Sequence, residues 1–196
     1  IQTTSSATLT AGDAITQTGA ILADALVVKT LKVGGANITL ANSSDTGTSV
    51  DLRARNAADS ADAAGAISYV DTNGFDVVKV STTAGATLTA SGAVTQSGSI
   101  AAGALVVKTL SNAGASITLA DSTNAVTSID LRTRNAADTA DAAGTISYRD
   151  TDGFDVAKIS TTENATLRSG AAVTQSGSIA AAGLELLGSG PYTLTK

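Results

Sequence analysis

The sequence has no cysteine, histidine, methionine or tryptophan, one proline, and only three tyrosines and two phenylalanines in 196 residues. Each absence excludes something. Without cysteine there is no disulfide, thiolate nucleophile or thiolate metal site. Without histidine the commonest general base and the commonest transition-metal ligand are missing. The shortage of aromatics removes the side chains that bury most area in globular cores. A thin interior filled by Ala, Val, Ile and Leu suits the remaining apolar residues. No apolar run approaches the roughly 20 residues of a membrane-spanning helix. The net charge of −5 offers no basic stripe for nucleic acid or an anionic membrane. Neither is expected as a partner.

The chain starts at Ile1 without a signal peptide, which reads as a processed protein or an excised piece. Low charge and plentiful Thr, Ser, Gly and Ala suit an extracellular β-rich protein, and a lack of cysteine agrees with export.

Repetition dominates what is present. Leu9 matches Leu88 and Leu167, and Gln17 matches Gln96 and Gln175, each at a spacing of 79 residues. The chain therefore divides into repeat one (1–79), repeat two (80–158) and the first half of a third (159–196), with about two-thirds identity between the first two. In the third, "GLELLGSGPYTLTK" replaces "ALVVKTLSNAGASITL", with roughly four residues lost before Tyr192. Nothing at either end reads as a cap, so the expectation is a slice of a longer array.

Within each copy, short runs such as "ATLTA", "ALVVKTL", "SIDLRTR" and "TISYRD" alternate apolar with polar residues. Gly, Asn, Asp and Ser separate them, which is the pattern of strands and turns. No amphipathic helix of useful length is present. A long repeat without gaps favours a β-solenoid over a sandwich or barrel. The expected fold is all-β, with about three coils of about 26 residues per repeat, or four of about 20.

The segments "GAVTQSGSIAAGALVV" and "ASITLADSTNAV" resemble the repeats of filamentous-haemagglutinin-like secreted exoproteins, as does "AAVTQSGSIAAAGLELLGSGPYTLT". The likeness covers the first 40–50 residues of each full copy and the partial third; residues 51–76 match more loosely. The resemblance implies a right-handed parallel β-helix, secreted and displayed at a bacterial surface. It also implies an adhesin or a stalk that projects an effector, exported through a two-partner outer-membrane pore.

The chemical candidates recur with the repeat. "DTNGFD" (Asp71, Asn73, Asp76) and "DTDGFD" (Asp150, Asp152, Asp155) place hard oxygens at alternate positions around a glycine, as calcium requires. The spacing is not that of an EF-hand. The preferred reading is a tight turn, in which Asn-Gly or Asp-Gly supplies positive φ and Phe75 and Phe154 tuck into the core. "RNAADSADAAG" offers Asp59 and Asp62 as ligand-binding carboxylates, with Asp138 and Asp141 in the second copy. The preferred reading is an outer-surface excursion with a short helical turn, all such loops lying on one face. Asp51, Arg53 and Arg55, with Asp130, Arg132 and Arg134, alternate with apolar residues. They read as a solvated face with cross-strand ion pairs, the alternative being a lateral docking stripe.

Enzyme activity is not expected. Catalysis needs one place of contrasting environments, whereas these acids repeat theirs, so no catalytic, cofactor or metal residue is assigned. The "TLT" triplets at 8–10, 87–89 and 193–195 do not extend across strands into an ice-binding row. The expected function is a rigid stalk in a secreted bacterial cell-surface adhesin, its partners being neighbouring repeats and a host or cell-surface receptor reached through loops. The alternative is a subunit of a self-assembling extracellular filament whose partners are identical chains.

Overall fold

Alternation along a strand sends successive side chains to opposite faces, and "ALVVKTL" shows the result. Leu26, Val28 and Thr30 are buried, while Ala25, Val27, Lys29 and Leu31 between them remain partly exposed. The same pattern recurs throughout a computed structural model that describes Ile1 to Lys196. The protein is all-β, with no helix.

The strands stack in two columns, and every pairing between strands is parallel. The first column runs β1 (Ser6–Ala11), β3 (Ala25–Leu31), β5 (Ser49–Arg55), β7 (Phe75–Ser81), β9 (Val94–Gln96), β11 (Ile117–Leu119), β13 (Ile146–Asp150), β15 (Asn164–Ser169) and β18 (Gly183–Gly188). The second runs β2 (Ile15–Thr16), β4 (Ile38–Leu40), β6 (Ile67–Asp71), β8 (Ala86–Ala90), β10 (Ile100–Leu110), β12 (Ala125–Arg134) and β14 (Asp155–Ser160). It ends on two short strands, β16 (Thr174–Gln175) and β17 (Ile179–Ala180), both seated on β14. The first residues of β10 also pair with the end of β7, so that strand bends from one column into the other. The whole is a β-solenoid of about nine turns.

Like residues stack along the axis. Leu26, Val50 and Val77 lie in register and are almost wholly buried. Ala86, Leu105, Ile129 and Val156 do the same in the second column. Burying each of the larger aliphatic side chains contributes about 1.5–3 kcal/mol. The few aromatics are internal: Tyr69 meets Phe75 edge to face at 5.1 Å, and Tyr148 meets Phe154 likewise at 5.1 Å. Such pairs add about 0.5–1.5 kcal/mol beyond area burial.

Coil length varies from 19 residues (Ala7 to Leu26) to 29 (Ile38 to Ile67), the longer coils carrying loops. The 79-residue repeat spans three and a half coils. From Ala7 the first column climbs through Leu26 and Val50 to Val77 in three full turns. Ala86, the repeat equivalent of Ala7, follows half a turn later in the second column, directly above Ile67. Equivalent strands of successive repeats therefore lie on opposite sides of the solenoid: β3 in one column, β10 in the other; β5 in one, β12 in the other. Between the expected counts of three and four, the observed value is the half-integer.

The third copy closes differently from the second. Val94 pairs with Ile117, but Val173 pairs with Tyr192, so the tyrosine takes the isoleucine's place four residues early. Its hydroxyl donates to the Leu187 carbonyl (2.6 Å) and the Leu167 carbonyl (3.1 Å).

Candidate functional site

Three recurring polar clusters hold the candidate residues. The first is the Ala/Asp loop between β5 and β6. It contains no helical turn. The Asn56 N–H donates to the Ala61 carbonyl, the Asp59 N–H to the Asn56 carbonyl, and the Asn56 Oδ1 accepts from the Ser60 N–H, each at 2.9 Å. Asp59 stands at φ 53° and Asp138 at φ 55°. This left-handed conformation is one that aspartate tolerates better than most residues, and it breaks the helix that the alanines suggest.

Asp59 and Asp62 are occupied within the fold. Lys29 Nζ reaches Asp59 Oδ2 at 2.6 Å from the coil below, and Arg55 Nε reaches Asp59 Oδ1 at 3.1 Å. Arg55 Nη1 and the Ser81 hydroxyl from the coil above both donate to Asp62 Oδ1. Lys29, then Arg55, hold the Asp59 carboxyl below the usual carboxylate range. The second copy repeats this set with Lys108, Arg134, Asp138, Asp141 and Ser160. The loop thus staples three coils together. Because the repeat advances by half a turn, 56–66 leaves the first column for the second and 135–145 leaves the second for the first. The two loops lie on opposite edges, which corrects the expectation that they share one face.

The second cluster is the charged strand. Val50, Leu52 and Ala54 are buried as expected, and so is Asp51. The ion pairs are not mainly cross-strand. Arg53 clasps Asp51 two residues away on its own strand, with Nε to Oδ1 at 2.5 Å, and Arg132 clasps Asp130 with Nε to Oδ1 at 2.6 Å. Arg55 and Arg134 turn to their loops. Partly exposed pairs of this kind are worth about 0–1 kcal/mol each.

The third cluster is the DxxGFD corner. Asp71 is buried; its Oδ2 accepts from the Tyr69 hydroxyl (2.5 Å) and the Gly47 N–H (2.8 Å), and its Oδ1 from the Asn73 N–H (2.7 Å). Asp150 is bound alike by Tyr148, Val126 and Asp152. Burial pushes both carboxyls up against these donors. Asp76 accepts from the hydroxyls of Thr95 and Ser97 on the next coil, and Asp155 from Thr174 and Ser176. These acids tie coil to coil. Phe75 and Phe154 are core residues, as expected. Positive φ is not the reason for the glycines: a Cβ on Gly74 would lie 2.3 Å from the Ala93 carbonyl oxygen, and one on Gly153 2.0 Å from that of Ala172. Close approach of the neighbouring coil's backbone requires them.

A fourth cluster joins these, one that reading the repeats for their identities misses. Each Gln of the T-Q-[ST]-G motif folds back onto the carbonyl of the glycine two residues on: Gln17 to Gly19 (2.8 Å), Gln96 to Gly98 (2.7 Å) and Gln175 to Gly177 (2.8 Å). Gln96 also reaches the fully buried Asn124, whose Nδ2 donates to Gln96 Oε1 (3.1 Å) and the Arg149 carbonyl (2.9 Å). In repeat one the same place holds Asp45, also fully buried. Its Oδ1 accepts from the Gln17 amide and the Ile21 N–H (2.7 Å), but Oδ2 and Gln17 Oε1 have no partner. The Asp/Asn difference between copies is the signal that finds this site.

The Ala/Asp loops and the DxxGFD corners thus link one coil to another, as do the glutamine corners, whereas the Asp51–Arg53 and Asp130–Arg132 pairs stay within one strand. Repeats of unknown function (DUF5649) match residues 64–131 and 143–195, more than half of the chain. The chain belongs to that family. No curated protein and no solved structure matches. Between them the two DUF5649 matches take in β6 to Leu131 of β12 and β13 through β18, including the final residues of both Ala/Asp loops and both later glutamine corners.

Proposed function

We propose that this chain is a structural section of a secreted bacterial cell-surface adhesin, a rigid stalk that extends and displays. One observation carries the reading: acidic side chains that could serve a ligand instead bind neighbouring coils, Asp59 to Lys29, Asp62 to Ser81, Asp71 to Gly47 and Asp76 to Thr95, and again one repeat later. A rod held by hydrogen bonds along its axis resists bending, and multivalent display along it raises avidity without new contacts. Catalysis has no part in this reading, and receptor contact falls to the exposed loops. The resemblance to filamentous-haemagglutinin-like repeats supports export to the surface. Antibodies against the chain are expected to label intact cells of the source bacterium; labelling only after permeabilisation would overturn the surface assignment.

A second reading is a subunit of a self-assembling extracellular filament, favoured by the all-parallel stacking of strands along one axis, a ladder that identical chains could continue. Negative-stain electron microscopy of the purified chain separates the two. The stalk reading predicts single rods of roughly 43 Å, nine turns at ~4.8 Å, while the filament reading predicts fibres that lengthen with concentration.

A further inference from the structure

Six arginines are present. Arg53, Arg55, Arg132 and Arg134 each hold a carboxylate. Arg149 and Arg168 hold none, and they are direct partners in register on the adjacent strands β13 and β15. Two cations on neighbouring parallel strands, about 4.8 Å apart at the backbone, repel one another. They border an open groove with no hydrophobic lining, completed by the hydroxyl residues Ser122, Thr151, Ser169 and Ser189 and by Gly170 and Gly188. The pair is a departure from the repeat. The equivalent residues one repeat earlier are Val70 and Thr89, also direct partners. Lys29–Arg53 and Lys108–Arg132 are also cation pairs in register, but each of those side chains holds a carboxylate, so Arg149–Arg168 is the pair whose charges no carboxylate takes up.

We propose that Arg149 and Arg168 form a receptor for a tetrahedral oxyanion, a phosphate or sulfate group. A guanidinium presents a planar fork of donors that suits such an anion, with charge-assisted bonds about twice as strong as neutral ones. Two forks converging from adjacent coils grip different oxygens, and the anion removes the repulsion between them. Two acids lie near. Asp150 forms part of the groove, but its oxygens are taken by Tyr148, Val126 and Asp152. Asp121 lies close enough for Arg149 to act on its carboxyl and is itself bonded to Thr123. It competes for Arg149 without closing on it, which sets a weak, exchangeable site.

The test is a titration of the whole chain with sodium phosphate and sodium sulfate at constant ionic strength, followed by amide NMR shifts, with chloride as control. Saturable shifts at Thr151, Gly170 and Ser189 are expected, with at least tenfold weaker binding in the Arg149→Val/Arg168→Thr variant. That variant installs the residues found one repeat earlier and so keeps a tolerated strand pair; unchanged shifts elsewhere verify its fold. Phenyl phosphate and phenyl sulfate distinguish the sources: tighter binding than the free ions assigns the site to esters, equal binding to free anions. Shifts that do not saturate, that chloride reproduces, or that persist in the double variant would overturn the proposal.

Discussion

Replacing Asp45 by asparagine should stabilise the protein, and the second repeat supplies the template. At the equivalent position, Asn124 Nδ2 donates to Gln96 Oε1 and to the Arg149 carbonyl. Asp45 lacks that donor, which leaves its Oδ2 and Gln17 Oε1 buried without partners. A buried polar group left unsatisfied costs about 1–3 kcal/mol, so Asp45→Asn should gain about that much near neutral pH. For a chain of this size the gain corresponds to about 2–4 °C in melting temperature per kcal/mol. The pH dependence discriminates further. Burial pushes the Asp45 carboxyl up, against the Ile21 amide, Gln17 and the amino terminus, and its charge in turn helps push up the nearby Asp71. A proton on Oδ2 would donate where the Asn124 amide does. The folded state thus binds this proton more tightly than the unfolded one, whose value is near 3.9. Its contribution is fully present below about 4 and is lost as pH rises through the raised folded value. Asp71 is relieved of the Asp45 charge in the variant, which adds to the gain in the same direction of pH, and the remaining carboxylates are common to both proteins. The advantage of Asp45→Asn should therefore be small at pH 3 and widen towards pH 7. Circular-dichroism melts across that range would measure it. Amide exchange at Gln17 and Ile21 would localise it, since repeat arrays unfold in sections. A variant less stable than its parent at pH 7, or an advantage constant with pH, would refute the reasoning.

Four other substitutions follow from the packing. Gly153→Ala sets a methyl 2.0 Å from the Ala172 carbonyl oxygen, whereas Gly19→Ala meets nothing within 4 Å. Melts should show a loss of about 1–3 kcal/mol for the first and a change within about 0.5 kcal/mol for the second. Leu52→Ala empties a fully buried position midway through a column and should cost about 2–5 kcal/mol in denaturant unfolding. Arg55→Ala removes the clamp on Asp59 and Asp62; amides of 56–63 should lose exchange protection while overall stability falls by about 0–1 kcal/mol.

The elements were readable because their causes are local. Alternation in "ALVVKTL" and "SIDLRTR" marks strands, a gap-free period marks a solenoid, and Phe75 and Phe154 had nowhere else to go. The coil count was not readable, since a 79-residue period does not say which column each copy enters. Coils of 19 to 29 residues average to a half-integer only once the register is known. The Ala/Asp loop misled because helix propensity is weaker than the Arg55 clamp and the left-handed Asp59. The glycines of the DxxGFD corners look like positive-φ residues, yet they answer to a neighbour that only the stacked structure supplies. Asp45 and the Arg149–Arg168 pair were hidden for a different reason. Comparing copies for identity discards the positions where they differ, and those are the positions with distinct chemistry.

The half-turn repeat is the central claim, and a single distance tests it most directly. Ala57 and Ala136 are exposed equivalents in the two Ala/Asp loops, and the chain has no native cysteine. Spin labels on the Ala57→Cys/Ala136→Cys variant can be measured by double electron–electron resonance. Three and a half coils separate them by roughly 17 Å along the axis and by about one seven-residue strand width, ~23 Å, across it, so backbones about 28 Å apart or more are expected. A distance near the axial rise alone would place both loops on one edge and contradict the account.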